Sequence, residues 1–226
     1  MDGGSPRARG RRAPGRVTNA RSGAPTAAPH TIRAAVSRVV VITGPSGVGK
    51  GTLIRLLREQ LPELGLSVSA TTRAARAGER DGVDYRFLDD VEFDRLVAAG
   101  AFVEHAEYAG RKYGTLRSEL ERRTAAGEPV VLEIEVQGAR QIRDAIPGAL
   151  LVFIAPPSRE ALRERLVGRG TDAAEVIERR LRVAEEELDA RDEFAHEVVN
   201  DRLEDAVREL VSVVRGGLGG PVDSGA

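Results

Sequence analysis

Residues 38–52 read RVVVITGPSGVGKGT. Val39–Thr43 is a continuous apolar run, the pattern of a strand covered on both faces. Lys50–Gln60 follows with Leu53, Ile54, Leu56 and Leu57 at helical spacing, and Pro62 stops it. Between them Gly44, Pro45, Ser46, Gly47, Val48, Gly49 and Lys50 fit G-x-x-x-x-G-K in the strand-to-helix context that gives this motif its meaning. Glycines let successive backbone N–H groups turn inward, and the helix N-terminus adds partial positive charge. Lys50 is placed to reach the outer phosphates of a nucleoside triphosphate.

Gly51 departs from the usual pattern, because the residue after the lysine ordinarily gives a hydroxyl to Mg²⁺. The first hydroxyl here is on Thr52. The run GKGT resembles the loop of adenylate kinases, in which the same glycine occurs. The expectation is that the loop binds ATP, with Mg²⁺ held mainly by phosphate oxygens and water, near Thr52 or one of Glu133 and Glu135.

Length and composition narrow the alternatives. The 226 residues suit one domain, and 41% are apolar, enough for a core built mostly from aliphatic side chains, since aromatics make up only 4%. Net charge is −1, so polyanion binding would need a local patch. With no cysteine, disulfides, thiolate metal sites and thiol nucleophiles are excluded. His30, His105 and His196 have no ligand spacing. No apolar run approaches the ~20 residues of a membrane helix, and no signal peptide is evident. The expectation is a cytoplasmic protein with no membrane partner.

Residues 1–36 hold seven arginines against one acid, Asp2, among Gly, Pro, Ala and Ser. Such a segment buries too little to offset its ordering entropy, so it reads as a disordered basic tail. It is either a tolerated extension or an arm for nucleic acid. Residues 216–226 read as a second frayed end. Between the tails, strand and helix signals alternate. Asp89 with Glu92 resembles a capping box for a helix ending before Gly100. Val130–Val136 and Ala149–Ala155 read as buried strands. Ser158 caps a helix through Leu166, a second helix spans 174–190, His196–Asn200 is a short strand, and Glu204–Val214 a closing helix. The fold class is α/β, a P-loop NTPase-type parallel sheet flanked by helices.

The downstream blocks indicate an acceptor. SVSATTRAARAGERDGVDYRF (67–87), FVEHAEY (102–108), RKYGT (111–115), LEIEVQGAR (132–140), IAPPS and RLVGRGTD occur in order after the loop. Together these motifs resemble the guanylate kinases, from about Arg38 to about Val214. The resemblance implies phosphoryl transfer from ATP to GMP, and to dGMP, giving GDP. It implies that Arg73, Arg76, Tyr85 and Tyr113 hold the GMP phosphate, and that Ser69, Glu104, Thr115 and Glu135 face guanine. It makes Arg165, Arg169 and Arg180 lid arginines, and places Asn200 near the adenine. Lys50, Arg73, Arg165, Arg169 and Arg180 are the candidate catalytic side chains. Glu135 stands where the family usually has aspartate, one methylene shorter.

The chemistry is sound on its own terms. Guanine presents N1–H and N2–H₂ side by side, and a carboxylate such as Glu104 accepts both, whereas adenine would face it with a lone pair. Paired arginines suit a phosphate dianion, which needs no general base. The arginines around 163–182 also fit a solvated face with interleaved acids, but Gly168 and Gly170 beside Arg169 favour a lid. Glu133 and Glu135, two apart on a predicted strand, should share a face. The expected parts are a core (37–67, 119–156, 183–215), a nucleoside-monophosphate-binding insertion (68–118) and a helical lid (157–182). The rival readings are a kinase of a phosphorylated sugar and a non-catalytic binding module.

Overall fold

The computed structural model describes Met1, Gly3 and residues 38–168 and 174–219, with backbone only for 174–177. In chain order the elements are β1 (Val39–Thr43), α1 (Lys50–Gln60), β2 (Gly65–Leu66), β3 (Ala70–Thr71), β4 (Arg86–Phe87), α2 (Asp90–Ala98), β5 (Phe102–Tyr108), β6 (Arg111–Leu116), α3 (Arg117–Ala125), β7 (Val130–Glu133), α4 (Val136–Ala145), β8 (Leu150–Ala155), α5 (Arg159–Val167), α6 (Ala174–Asp189), β9 (His196–Val199) and α7 (Leu203–Gly217). The main sheet runs β2-β7-β1-β8-β9, and every neighbouring pair in it is parallel.

All five residues of β1 are buried, as the centre of a sheet covered on both faces requires. α1 buries Leu53, Ile54 and Leu57, and α7 buries Val207, Leu210, Val211 and Val214. These side chains join the strands in one core cluster. A smaller sheet, β4-β3-β6-β5, carries its own cluster of Ala70, Phe93, Phe102 and Leu116, with the Phe93 and Phe102 rings stacked at 4.6 Å.

The predicted caps form. Asp89 accepts from the Glu92 N–H at 2.7 Å, and Ser158 Oγ from the Ala161 N–H at 3.1 Å. The Glu92 carboxylate pairs with Arg95. The strand expected over Val130–Val136 is corrected: β7 ends at Glu133, Glu135 is an N-cap, and Val136 begins α4. Val136, Ala139, Ile142 and Ile146 are all buried at helical spacing, a pattern that outweighs the β-branched start of the segment. Glu133 and Glu135 therefore do not share a strand face. α7 continues past Val214 to Gly217, into the stretch read as a frayed end. No helix among the described residues is long and apolar enough to cross a membrane. Apart from Met1 and Gly3, the basic tail read over 1–36 lies outside the described residues.

Candidate active site

The loop between β1 and α1 is shaped by close approaches. Gly44 has φ +133, and a Cβ there would run into the Ile154 carbonyl oxygen of β8. Gly49 has φ +100, and a Cβ there would lie 2.6 Å from the Asn200 side-chain nitrogen. Only glycine meets both demands, a left-handed backbone and no side chain. Lys50 is 8% exposed, and its Nζ donates to Gly44 O at 2.5 Å and Pro45 O at 3.3 Å. An ammonium has three donors, so one remains for a phosphate entering the loop.

Two distant segments brace the loop. Asn200, just after β9, donates from Nδ2 to Val48 O at 2.7 Å, and Arg165 of α5 donates to Asn200 O at 2.9 Å. Arg180 of α6 donates to Ser46 Oγ at 3.0 Å. Arg169 lies outside the described residues.

The loop opens into a cleft of about 440 Å³. Its walls include Pro45, Ser46, Gly47, Gly49, Lys50, Gly51, Thr52 and Arg180 on the loop side, and Ser69, Arg76, Tyr85, Glu104, Tyr113 and Glu135 opposite. Glu104 and Tyr113 belong to β5 and β6, so the cleft joins the phosphate loop to the smaller sheet. Val48, Arg73, Thr115, Arg165 and Asn200 do not line the cleft.

Thr115 Oγ1 donates to Glu104 Oε1 at 2.7 Å, and the two residues are 0% and 3% exposed. Burial pushes the Glu104 carboxyl up to about 7, Thr115 pulls it down, and the charge of Glu135 adds to the rise. A half-ionised carboxyl of this kind gains most from a ligand that supplies two N–H donors.

The Arg73 guanidinium fork is engaged within the protein. Nη1 and Nη2 donate to the two oxygens of Glu79 at 2.9 and 2.8 Å, while the group stacks over Tyr85 at 5.1 Å. The Arg76 N–H also donates to Glu79, at 2.7 Å. Glu79 was not foreseen, although its place in RAGER between arginines was an available signal.

Glu187 was missed as well. In the run EEEL it reads as one more solvated acid, yet it is 7% exposed, and its Oε2 has no hydrogen-bond partner. Burial, then the negative charge of Glu135, push its carboxyl well above the usual range, with Lys50 and the Ser46 amide opposing. A proton retained there keeps a carboxyl beside the phosphate loop neutral.

Among the described residues no cluster of three or more acidic or histidine side chains could hold a metal ion by itself. Glu133 and Thr52 both line the cleft. A Cβ on Gly51 would lie 3.8 and 3.9 Å from the two Glu133 carboxylate oxygens, so Glu133 faces the first turn of α1. Although the Glu133 side chain is open to solvent in the cleft, desolvation by the surrounding protein pushes its carboxyl up, and Lys50 draws it down. One carboxylate and one hydroxyl suit a cation whose other positions are filled by phosphate and water.

A parallel sheet, a glycine loop at the C-terminal end of its central strand and a cleft facing a smaller sheet define a P-loop nucleotide-binding protein. The comparisons are narrower. The family model described as guanylate kinase matches residues 36–216. A guanylate kinase of Synechococcus sp. (strain CC9311) is 55% identical over 175 residues, covering 77% of this chain and 92% of that protein. One of Thermobifida fusca (strain YX) is 53% identical over 177 residues, covering 78% and 90%. The crystal structure of guanylate kinase from Anaplasma phagocytophilum superposes with a TM-score of 0.64 at 34% identity, covering 79% of this chain and 84% of that one. The chain belongs to the guanylate kinase family.

Proposed function

We propose that the protein transfers the γ-phosphate of ATP to GMP, and to dGMP, yielding ADP and GDP, as a cytoplasmic enzyme of purine nucleotide metabolism and GMP recycling. The observation that carries this reading is that Glu104, buried and bonded to Thr115, lines the same cleft as Lys50. Glu104 accepts the N1–H and N2–H of guanine, with Ser69, Thr115 and Glu135 completing the base pocket. Arg76, Tyr85 and Tyr113 bind the acceptor phosphate. Arg73 joins them by exchanging part of its bonding with Glu79.

The acceptor phosphate is already a nucleophile near neutral pH. Its oxygen attacks the γ-phosphorus in line, the bond to the β-bridging oxygen breaks, and ADP leaves. The loop N–H groups and Lys50 hold the β- and γ-phosphates, and Arg180, Arg165 and Arg169 offset charge on the transferred group. Mg²⁺, when bound to the phosphate oxygens beside Thr52 and Glu133, supplies further charge neutralisation. The acceptor-binding region 68–118 and the lid 157–182 close on the core (37–67, 119–156, 183–215) and exclude water, which would otherwise take the phosphate.

The sugar-kinase reading offers no use for a buried base-reading carboxylate. The binding-module reading offers none for an intact Gly44–Lys50 loop. ADP formation from ATP and Mg²⁺ with GMP, AMP, CMP, UMP and ribose phosphates offered separately is the test. ADP formed with GMP alone supports the proposal, and turnover of a ribose phosphate without GMP turnover ends it.

A further inference from the structure

α4 carries a glycine where a helix has no need of one. Gly138 is in its first turn and buried, and its φ is not in the left-handed region. Glycine in a helix costs stability relative to alanine, so its presence calls for a steric reason. A Cβ on Gly138 would lie 2.5 Å from Glu104 Oε2 and 3.1 Å from Glu104 Cδ. The missing methyl group is thus the space in which the Glu104 carboxyl sits.

A second contact fixes the same juxtaposition. Gln141, one turn further along α4, accepts from the His105 N–H at 3.1 Å through Oε1 and donates to the His105 carbonyl at 2.8 Å through Nε2. A side-chain amide therefore pairs with the β5 backbone as a neighbouring strand would. His105 directly follows Glu104, so this pairing sets the rotation of the strand that presents the carboxyl. Glu135, Gly138 and Gln141 recur every third residue, which places them along one helix face. That face offers β5 a carboxyl at the N-cap, then a gap, then an amide clamp.

We infer that Gly138 and Gln141 are positioning residues for base recognition: Gly138 leaves the room, and Gln141 the register, that hold the Glu104 carboxyl against α4 in reach of guanine. The inference rests on the reading of Glu104 as the guanine acceptor. Neither residue touches the nucleotide in this scheme, and both act through Glu104. A role confined to packing makes a different forecast for Gly138→Ala: the new methyl group would change the melting temperature and leave the KM for GMP where it was.

The test is steady-state kinetics of the full chain with GMP and ATP varied in turn, on Gly138→Ala, Gln141→Ala, Glu104→Gln, Glu104→Asp and the double variant Gly138→Ala/Glu104→Asp. For Gly138→Ala the expected result is a KM for GMP raised about tenfold or more, with the KM for ATP nearly unchanged. Gln141→Ala should show the same split to a lesser degree, and keeps the test open should the alanine variant fail to fold. Asp at 104 withdraws the carboxyl from the new methyl group, so the double variant should lose less than the sum of its two single changes. Unchanged GMP kinetics in both Gly138→Ala and Gln141→Ala, or equal losses for GMP and ATP, would overturn the inference while leaving Glu104 in its role. If Glu104→Gln itself leaves the KM for GMP unchanged, the underlying reading of Glu104 fails instead.

Discussion

The side-chain amide of Asn200 donates to the backbone carbonyl of Val48 at 2.7 Å, across 152 residues of sequence. The donor follows β9 at one edge of the main sheet, and the acceptor is in the phosphate loop beside the central strand. Both residues are buried. Asn200→Asp would present an oxygen to an oxygen at a buried contact. The expected cost is about 1–3 kcal/mol of loop stability. The KM for ATP should rise while the KM for GMP changes little, and kinetics with each substrate varied separately will check this.

Lys50 is held by the carbonyls of Gly44 and Pro45 before any phosphate arrives, so its ammonium is oriented in advance. Lys50→Met removes a charge that matters most when the γ-phosphate is in flight. Turnover should fall on the order of 10³-fold or more. Circular dichroism should show the fold retained, because β1 and α1 keep their buried aliphatic contacts.

Glu104 makes both stability and substrate binding depend on pH. Its folded-state value near 7 is above the ordinary carboxylate value, chiefly through burial. The folded state therefore holds the proton more tightly than the unfolded chain. The resulting stability is fully present below the unfolded value and is lost as pH rises through about 7. With Glu104 as the proposed guanine acceptor, GMP needs the ionised form, so binding should improve over the same rise. The share of GMP affinity that depends on Glu104 should grow roughly tenfold from pH 6 to pH 8, read as wild type against Glu104→Gln to cancel ionisation of the GMP phosphate. A ratio that stays flat with pH would refute it.

Gly51 departs from the general loop pattern, yet it has room for a side chain. A Cβ there meets the Glu133 oxygens only at van der Waals distance, 3.8 and 3.9 Å. Gly51→Ser should fold and turn over. It should gain about 0.5 kcal/mol of stability from the better helix former, measured by urea unfolding. Loss of folding would show that the first turn of α1 is more crowded than this geometry allows.

Much of the fold was legible because its signals are local. Val39–Thr43, the glycine loop and the leucines of α1 follow one another without interruption, and β1 and α1 have the expected bounds. The caps at Asp89 and Ser158 are equally short-range. The segment after Leu132 was misread because Ile134 and Val136 in LEIEV suit a strand as well as the start of a helix. Ile142 and Ile146, which settle it, lie further on.

The candidate site divides along the same line. The phosphate loop is a property of one contiguous stretch, because glycine backbone freedom and the N–H groups of α1 need no partner. The base pocket is not. Glu104 acquires its proton affinity from burial and from the charge of Glu135, against the pull of Thr115, and the chain brings these groups together from β5, β6 and the N-cap of α4. Glu79 in the fork of Arg73, and Glu187 beneath the loop, read in sequence as ordinary solvated acids. Sequence alone determined which backbone could cradle a phosphate. The tertiary structure decided which acids lose their water, because desolvation depends on every chain segment packed around a group.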